Sequence, residues 1–124
     1  MKIKYRETDA FYKDLKKLLK KFVTLEADLR VAKTNAIEMY HIKNVDNESV
    51  FALQHFCSEN VRVYKLKKFA CKCLKGRGMK SGIRVIYAYY PKDYVVEFVE
   101  IYFKGVKENE DKERIKEYIK AIIE

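Results

Sequence analysis

Apolar positions along the chain recur first at helical and then at strand spacing. After Lys4-Tyr5-Arg6, read as a first strand, Phe11, Leu15, Leu18, Leu19 and Phe22 fall on one helical stripe. Lys13, Lys16, Lys17, Lys20 and Lys21 cover the rest of that helix, which Thr8 or Asp9 can cap. A second helix, capped by Thr24, carries Leu25, Leu29, Ala32 and Ala36 at helical spacing, and Ile37 and Tyr40 extend the stripe. Neither segment contains Pro or Gly, and the short break between them predicts an antiparallel helical hairpin. From His41 to Asn60 the pattern fades. Asn44-Val45-Asp46-Asn47 reads as a turn, and Val50-Phe51-Ala52-Leu53 as a short strand or one helical turn.

The second half reads as sheet. Between Val61 and Lys68, Tyr64 and Leu66 point one way and Lys65 and Lys67 the other. Between Gly82 and Tyr90, Ile83, Val85, Tyr87 and Tyr89 share a face, leaving Arg84 opposite with Ile86 and Ala88. A turn at Tyr90-Pro91-Lys92-Asp93 leads into a strand from Tyr94 to Phe103. That strand is apolar on both faces, with Val95, Val99 and Ile101 set against Val96, Phe98 and Tyr102, as in a strand covered on both sides. Asn109-Glu110-Asp111 opens a last helix whose stripe is Ile115, Ile119 and Ile122. The predicted class is α+β: a small, mostly antiparallel sheet of about four strands, with an N-terminal helical hairpin and a C-terminal helix.

At 124 residues the chain has the size of one domain, expected to span 1–124. It has no apolar run long enough to cross a membrane, and its first residues lack the apolar core of a secretion signal. With three cysteines, an odd number, this points to a reducing compartment, the cytoplasm by default.

Charge changes the picture more. The net charge is +9, yet the stretch from Asn60 to Lys92 holds ten basic residues and no acid. Those ten of the 27 leave 17 basic against 18 acidic residues elsewhere, so the whole excess sits in about a third of the chain. Because these cations alternate with strand-forming residues, they must gather on a surface. Such a surface suits a phosphate backbone or an acidic protein. If the two strands are hairpin neighbours, Lys65, Lys67 and Arg84 converge on one sheet face. Clustered cations hold a phosphodiester and stabilise the charge that develops at its phosphorus. Cleavage of RNA by its own 2′-hydroxyl needs a proton acceptor, a donor and charge stabilisers but no metal, so no cofactor is expected. A lysine can serve as acid or base only if its pKa falls, as crowding by cations can make it do.

Lys75, Arg77 and Lys80 belong to a glycine-rich basic connection, Lys75 to Gly82, that either contacts RNA or is a solvated hairpin tip, and Lys68 at the end of the preceding strand joins the same candidate phosphate-binding set. The connection lacks the Gly-Lys-Ser/Thr ending and the helix of a nucleotide-binding loop. Cys71-Lys72-Cys73 and His55-Phe56-Cys57 could together supply four zinc ligands. Their spacing is tighter than usual, and buried free thiols explain them more simply.

The succession of a Tyr-Lys-x-Lys strand (Tyr64 to Lys67), a Gly-x-Arg-hydrophobic-hydrophobic-Tyr strand (Gly82 to Tyr87), a Val/Phe/Ile-rich strand and a closing helix resembles the RelE/ParE superfamily of toxins. The resemblance implies an endonuclease acting on messenger RNA, often on the ribosome, or else a binding protein that catalyses no reaction, either a gyrase inhibitor as in the ParE branch or a RelE relative whose catalytic set has decayed. Either would be neutralised by a cognate antitoxin, here expected to be acidic. It also implies phosphate-handling roles for Lys65 and Lys67 and a transition-state role for Arg84, with Lys104 and Lys107 extending the cationic site. Two features depart from the pattern. The segment after the third strand, Phe103-Lys104-Gly105-Val106-Lys107, has no arginine, and the start of the last helix has no tyrosine. Tyr102 and Tyr118 are the nearest substitutes.

Overall fold

The computed structural model describes residues 2–67, 69–74 and 81–123. Strand β1 (Lys4–Glu7) leads into helix α1 (Asp9–Leu19), whose N-cap Thr8 accepts a 3.1 Å hydrogen bond from the Phe11 amide. Helix α2 (Leu25–Ala32) runs on through a π-helical stretch, Lys33–Glu38, into α3 (Met39–His41). Thr24 precedes α2 without capping it by side chain: its hydroxyl donates to Asp28 at 2.7 Å, and its oxygen accepts from the Cys73 amide at 3.0 Å. The weakly patterned region resolves into β2 (Val50–Ala52) and a 3-10 turn, Gln54–Phe56. Strands β3 (Arg62–Leu66), β4 (Ile83–Tyr90) and β5 (Val95–Phe103) and helix α4 (Lys112–Ile123) complete the order.

The five strands form one sheet in the order β1-β5-β4-β3-β2, one strand more than the pattern predicts. The additional strand is β2, paired antiparallel with β3. β1 lies parallel to β5, and every other pairing is antiparallel. The helical hairpin covers one face of the sheet. There Phe11, Leu15, Phe22, Leu25, Leu29 and Ile37 pack with Leu66, Ile83, Val85, Tyr87 and Phe98. α4 covers part of the other face, over Val61, Val63, Ile86, Ala88, Val99 and Tyr102. Of its predicted stripe, Ile115 is fully buried and Ile119 partly so, whereas Ile122 is exposed, and Tyr118 packs in its stead.

The even alternation predicted for β5 fails at one point. Ile86 pairs with Glu100 and Tyr87 with Phe98, so Val99 is an extra residue, a β-bulge. The bulge shifts the phase of everything after it. Ile101 therefore joins Phe98 on the hairpin face, and Val99, Glu100 and Tyr102 share the α4 face. Beyond Phe98, β5 has no strand on its outer side. Asp14 of α1 and Arg114 of α4 meet there in a two-pronged ion pair (2.6 and 3.3 Å). Arg114 also donates to the Val99 carbonyl at 3.1 Å, and the Ile101 amide donates to Asp14 at 3.4 Å. The exposed edge is thus closed by side chains from both helical layers.

Candidate nucleic-acid interface

Because Lys65 and Lys67 alternate with Tyr64 and Leu66, and Arg84 with Ile83 and Val85, all three cations emerge on one face of the sheet, the face that carries α4. α4 does not cover them. They line a shallow cavity of about 170 Å³ together with Lys104, Glu108 and Asn109 from the segment that follows β5. Four of the nine cations expected at the site therefore share one pocket. Lys107 belongs to the same segment but is drawn to Glu100 in an ion pair. Lys68, Lys75, Arg77 and Lys80 lie outside the described residues.

The four pocket cations are not equivalent. Lys65 is mostly buried and donates 2.8 Å to Glu110 Oε1, and its ammonium lies 5.9 Å from the Tyr102 ring centre. Burial alone would lower its pKa, but Glu110 and Tyr102 outweigh burial, and the net shift is upward. The expectation that cation crowding makes a lysine here a proton carrier therefore fails at Lys65. It is a fixed cation whose charge is already answered. Glu110 shows the reciprocal effect: burial disfavours its carboxylate, yet Lys65 holds its pKa below the ordinary value.

Lys67 sits 4.7 Å over the Phe51 ring, and Arg84 Nη1 donates to the carbonyls of Lys67 (2.8 Å) and Ile83 (3.3 Å). Among the described residues Lys67, Arg84 and Lys104 form no ion pair, so three cations face the pocket against the one carboxylate of Glu108. The backbone carbonyls hold the guanidinium by one nitrogen and orient its remaining donors, an arrangement suited to gripping an anion with a fork.

The pocket's scaffold rests on acids that the charge count did not reveal. Glu100, 1% exposed, is turned onto this face by the bulge. It accepts from Lys107 and from the Asp111 amide at 2.9 Å, fixing the segment that carries Lys104. Asp111 in turn accepts from the Arg114 amide at 3.1 Å and opens α4 as the sequence predicts. The one legible signal for Glu100 was an acid set in the apolar run Phe98-Val99-Glu100-Ile101.

Neither substitute tyrosine is offered to a substrate. Tyr102 lies opposite Arg84 in the β4–β5 register, but it is 4% exposed. Its buried hydroxyl completes no well-formed hydrogen bond among the described residues, although the Lys65 ammonium is near enough to oppose the upward push of burial on its pKa. Tyr118 donates to Glu97 at 2.5 Å and shares a hydrogen bond with Tyr90. Burial, then Glu97 and Tyr90, drive its pKa far up. Tyr90 stands six residues along β4 from Arg84, roughly 20 Å at strand rise.

The zinc grouping does not form. Among the described residues no three His, Cys, Asp or Glu side chains come together as a metal site. Cys57 donates to the Leu53 and Val63 carbonyls, while Cys71 and Cys73 lie beside Thr24 on the hairpin side. Among the described residues no helix is long and apolar enough to cross a membrane.

No protein-family model matches the sequence, and no curated protein matches it significantly. The fold has a match. A chain in the crystal structure of the archaeal RelE–RelB complex from Pyrococcus horikoshii OT3 aligns with a TM-score of 0.54 at 16% identity, covering 85% of this chain and 98% of that one. This chain has a RelE-type fold. Within that RelE-type fold, the three residues singled out by resemblance, Lys65, Lys67 and Arg84, line one pocket, and the tyrosine expected at the start of the closing helix is absent.

Proposed function

We propose that this protein is a RelE-like toxin that binds messenger RNA in the Lys67–Arg84–Lys104 pocket and cleaves it without a metal, restrained by a cognate antitoxin. The observation that supports this reading is the convergence of three cations without an ion pair among the described residues, Lys67, Arg84 and Lys104, in one open pocket. In this reading Lys67 and Lys104 hold the phosphates flanking the cut, and Arg84 stabilises the charge on the pentacoordinate phosphorus. Glu108 lines the same pocket and is the carboxylate available to take the 2′-hydroxyl proton. Lys65 acts through Glu110 as a strut.

The antitoxin would be acidic and amphipathic. A separate groove of about 770 Å³ runs along α4, with an apolar floor at Phe56 and Ile119 and a rim of Lys112, Lys116 and Lys120. Those lysines complement an acidic helix whose apolar side enters the groove. A second reading, a toxin-fold protein that inhibits gyrase or another protein without catalysis, is favoured by the neutralised Lys65 and by the lack of a tyrosine at the pocket.

Induced expression with primer-extension mapping of messenger RNA, on the ribosome and on free transcript, decides between them. Growth arrest with new RNA ends, reduced at least roughly 100-fold in Arg84→Ala, is the expected outcome. Arrest with intact RNA would overturn the cleavage reading in favour of a protein target.

A further inference from the structure

The connection after β3 carries a thiol pair that the RNA-binding reading does not use. Cys71 Sγ and Cys73 Sγ lie 3.2 Å apart, closer than two sulfurs in ordinary contact. The pair is built into the hairpin rather than left on a loose loop. Asp28, 3% exposed, accepts the Thr24 hydroxyl (2.7 Å) and the Lys72 amide (3.1 Å), and Thr24 Oγ1 accepts the Cys73 amide (3.0 Å). Thr24 has a single hydroxyl hydrogen and gives it to Asp28. The Cys71 thiol hydrogen is therefore left to Thr24 Oγ1, 3.7 Å away, or to the Cys73 sulfur.

The two thiols differ in access. Cys71 is 3% exposed, whereas Cys73 is only partly covered. They also differ in acidity. Burial opposes ionisation of Cys73, but the hydrogen bonds from Cys71 and Thr24 outweigh it, so its pKa falls. Burial and the neighbouring Cys73 push Cys71 up to about 12. The accessible member of the pair is the better thiolate, and its buried neighbour is a protonated thiol in contact with it.

We propose that Cys71 and Cys73 form a peroxide-reactive dithiol, with Cys73 the attacking sulfur and Cys71 the resolving one. The Cys73 thiolate attacks one oxygen of hydrogen peroxide, the O–O bond breaks, and Cys73 becomes a sulfenic acid as hydroxide leaves and takes a proton from solvent. The Cys71 sulfur then displaces the sulfenic oxygen, which leaves as water with the Cys71 proton, and the S–S bond forms. Two thiols are oxidised and one peroxide is reduced to two waters. The sulfurs need to close by about 1.2 Å from their 3.2 Å separation to reach bond length. A ring spanning only one intervening residue is strained, which keeps the disulfide open to reduction by a thiol.

The experiment exposes the reduced full-length protein to stoichiometric hydrogen peroxide, tags the remaining thiols with a maleimide, and maps them by mass spectrometry. Cys57, tied to two backbone carbonyls, serves as the internal reference. The expected result is joint loss of the Cys71 and Cys73 tags, a linked peptide lighter by two hydrogens, at least roughly tenfold slower loss of Cys57, and full recovery with dithiothreitol. In Cys71→Ser, a sulfenic acid at Cys73 should persist and be trapped by a dimedone probe. Loss of Cys57 at the same rate, retention of both tags, or disulfides only between molecules would each overturn the proposal.

Discussion

His41, the last residue of α3, is set among aromatic rings rather than in solvent. Its ring stacks on Tyr89 with centres 4.1 Å apart, meets Tyr64 edge-on at 4.7 Å, and bonds to the Tyr87 hydroxyl at 2.8 Å. Burial, reinforced by the charge of Arg62, lowers its pKa to about 4. In the unfolded chain the ring takes a proton near pH 6.5, so between about 4 and 6.5 the unfolded state binds more protons than the folded one. The stabilising contribution is complete above pH 6.5 and drains away as pH falls toward 4, by up to roughly 3 kcal/mol. Urea unfolding of wild type and His41→Phe at pH 7, 5.5 and 4 should show a gap between them that narrows on acidification, and a constant gap would contradict this assignment. The same lesson holds at Lys65. The alternation of β3 foretold its direction, but its charge state depends on Glu110, 45 positions away, which no local pattern could pair with it.

Among the elements, the helices and the long strands were legible because each buries a stripe at its own period. What escaped were features fixed by pairing between distant segments. The parallel partnership of β1 with β5 leaves no local trace, and the short edge strand β2 carries too few residues to distinguish strand from helical turn. The bulge at Val99 was invisible for a different reason: one extra residue in a strand apolar on both faces alters no hydrophobic count. Its effect is nevertheless large, because it turns Glu100 under the loop that bears Lys104 and Lys107. Glu100→Ala should leave Lys107 and the Asp111 amide without their acceptor. We expect a loss of about 2 kcal/mol in urea unfolding, discounted for the exposure of Lys107, and weaker RNA binding through a loosened Lys104. An unchanged midpoint would show that the loop is held by other contacts.

For the whole molecule, the decisive property is that the excess charge is concentrated in the stretch of sequence from Asn60 to Lys92, whereas the remainder is almost neutral. Binding to single-stranded RNA should therefore be strongly salt-dependent. Each phosphate contact contributes a slope of about 0.7 in a plot of log affinity against log salt. Lys67→Ala with Lys104→Ala should make that slope shallower by about 1.4, measured by fluorescence anisotropy across a salt series. A parallel drop in affinity with the slope intact would mean that these lysines do not touch the backbone. The strand order has one more consequence. Lys4 is paired with Val95, 91 positions later, and the cationic pocket draws on β3, β4 and the segment after β5. At the usual rates of translation, on the order of 5–20 s separate the emergence of the first strand from that of its partner. Throughout that interval β1 has no partner along β5, and the pocket cannot assemble until the segment after β5 has been made.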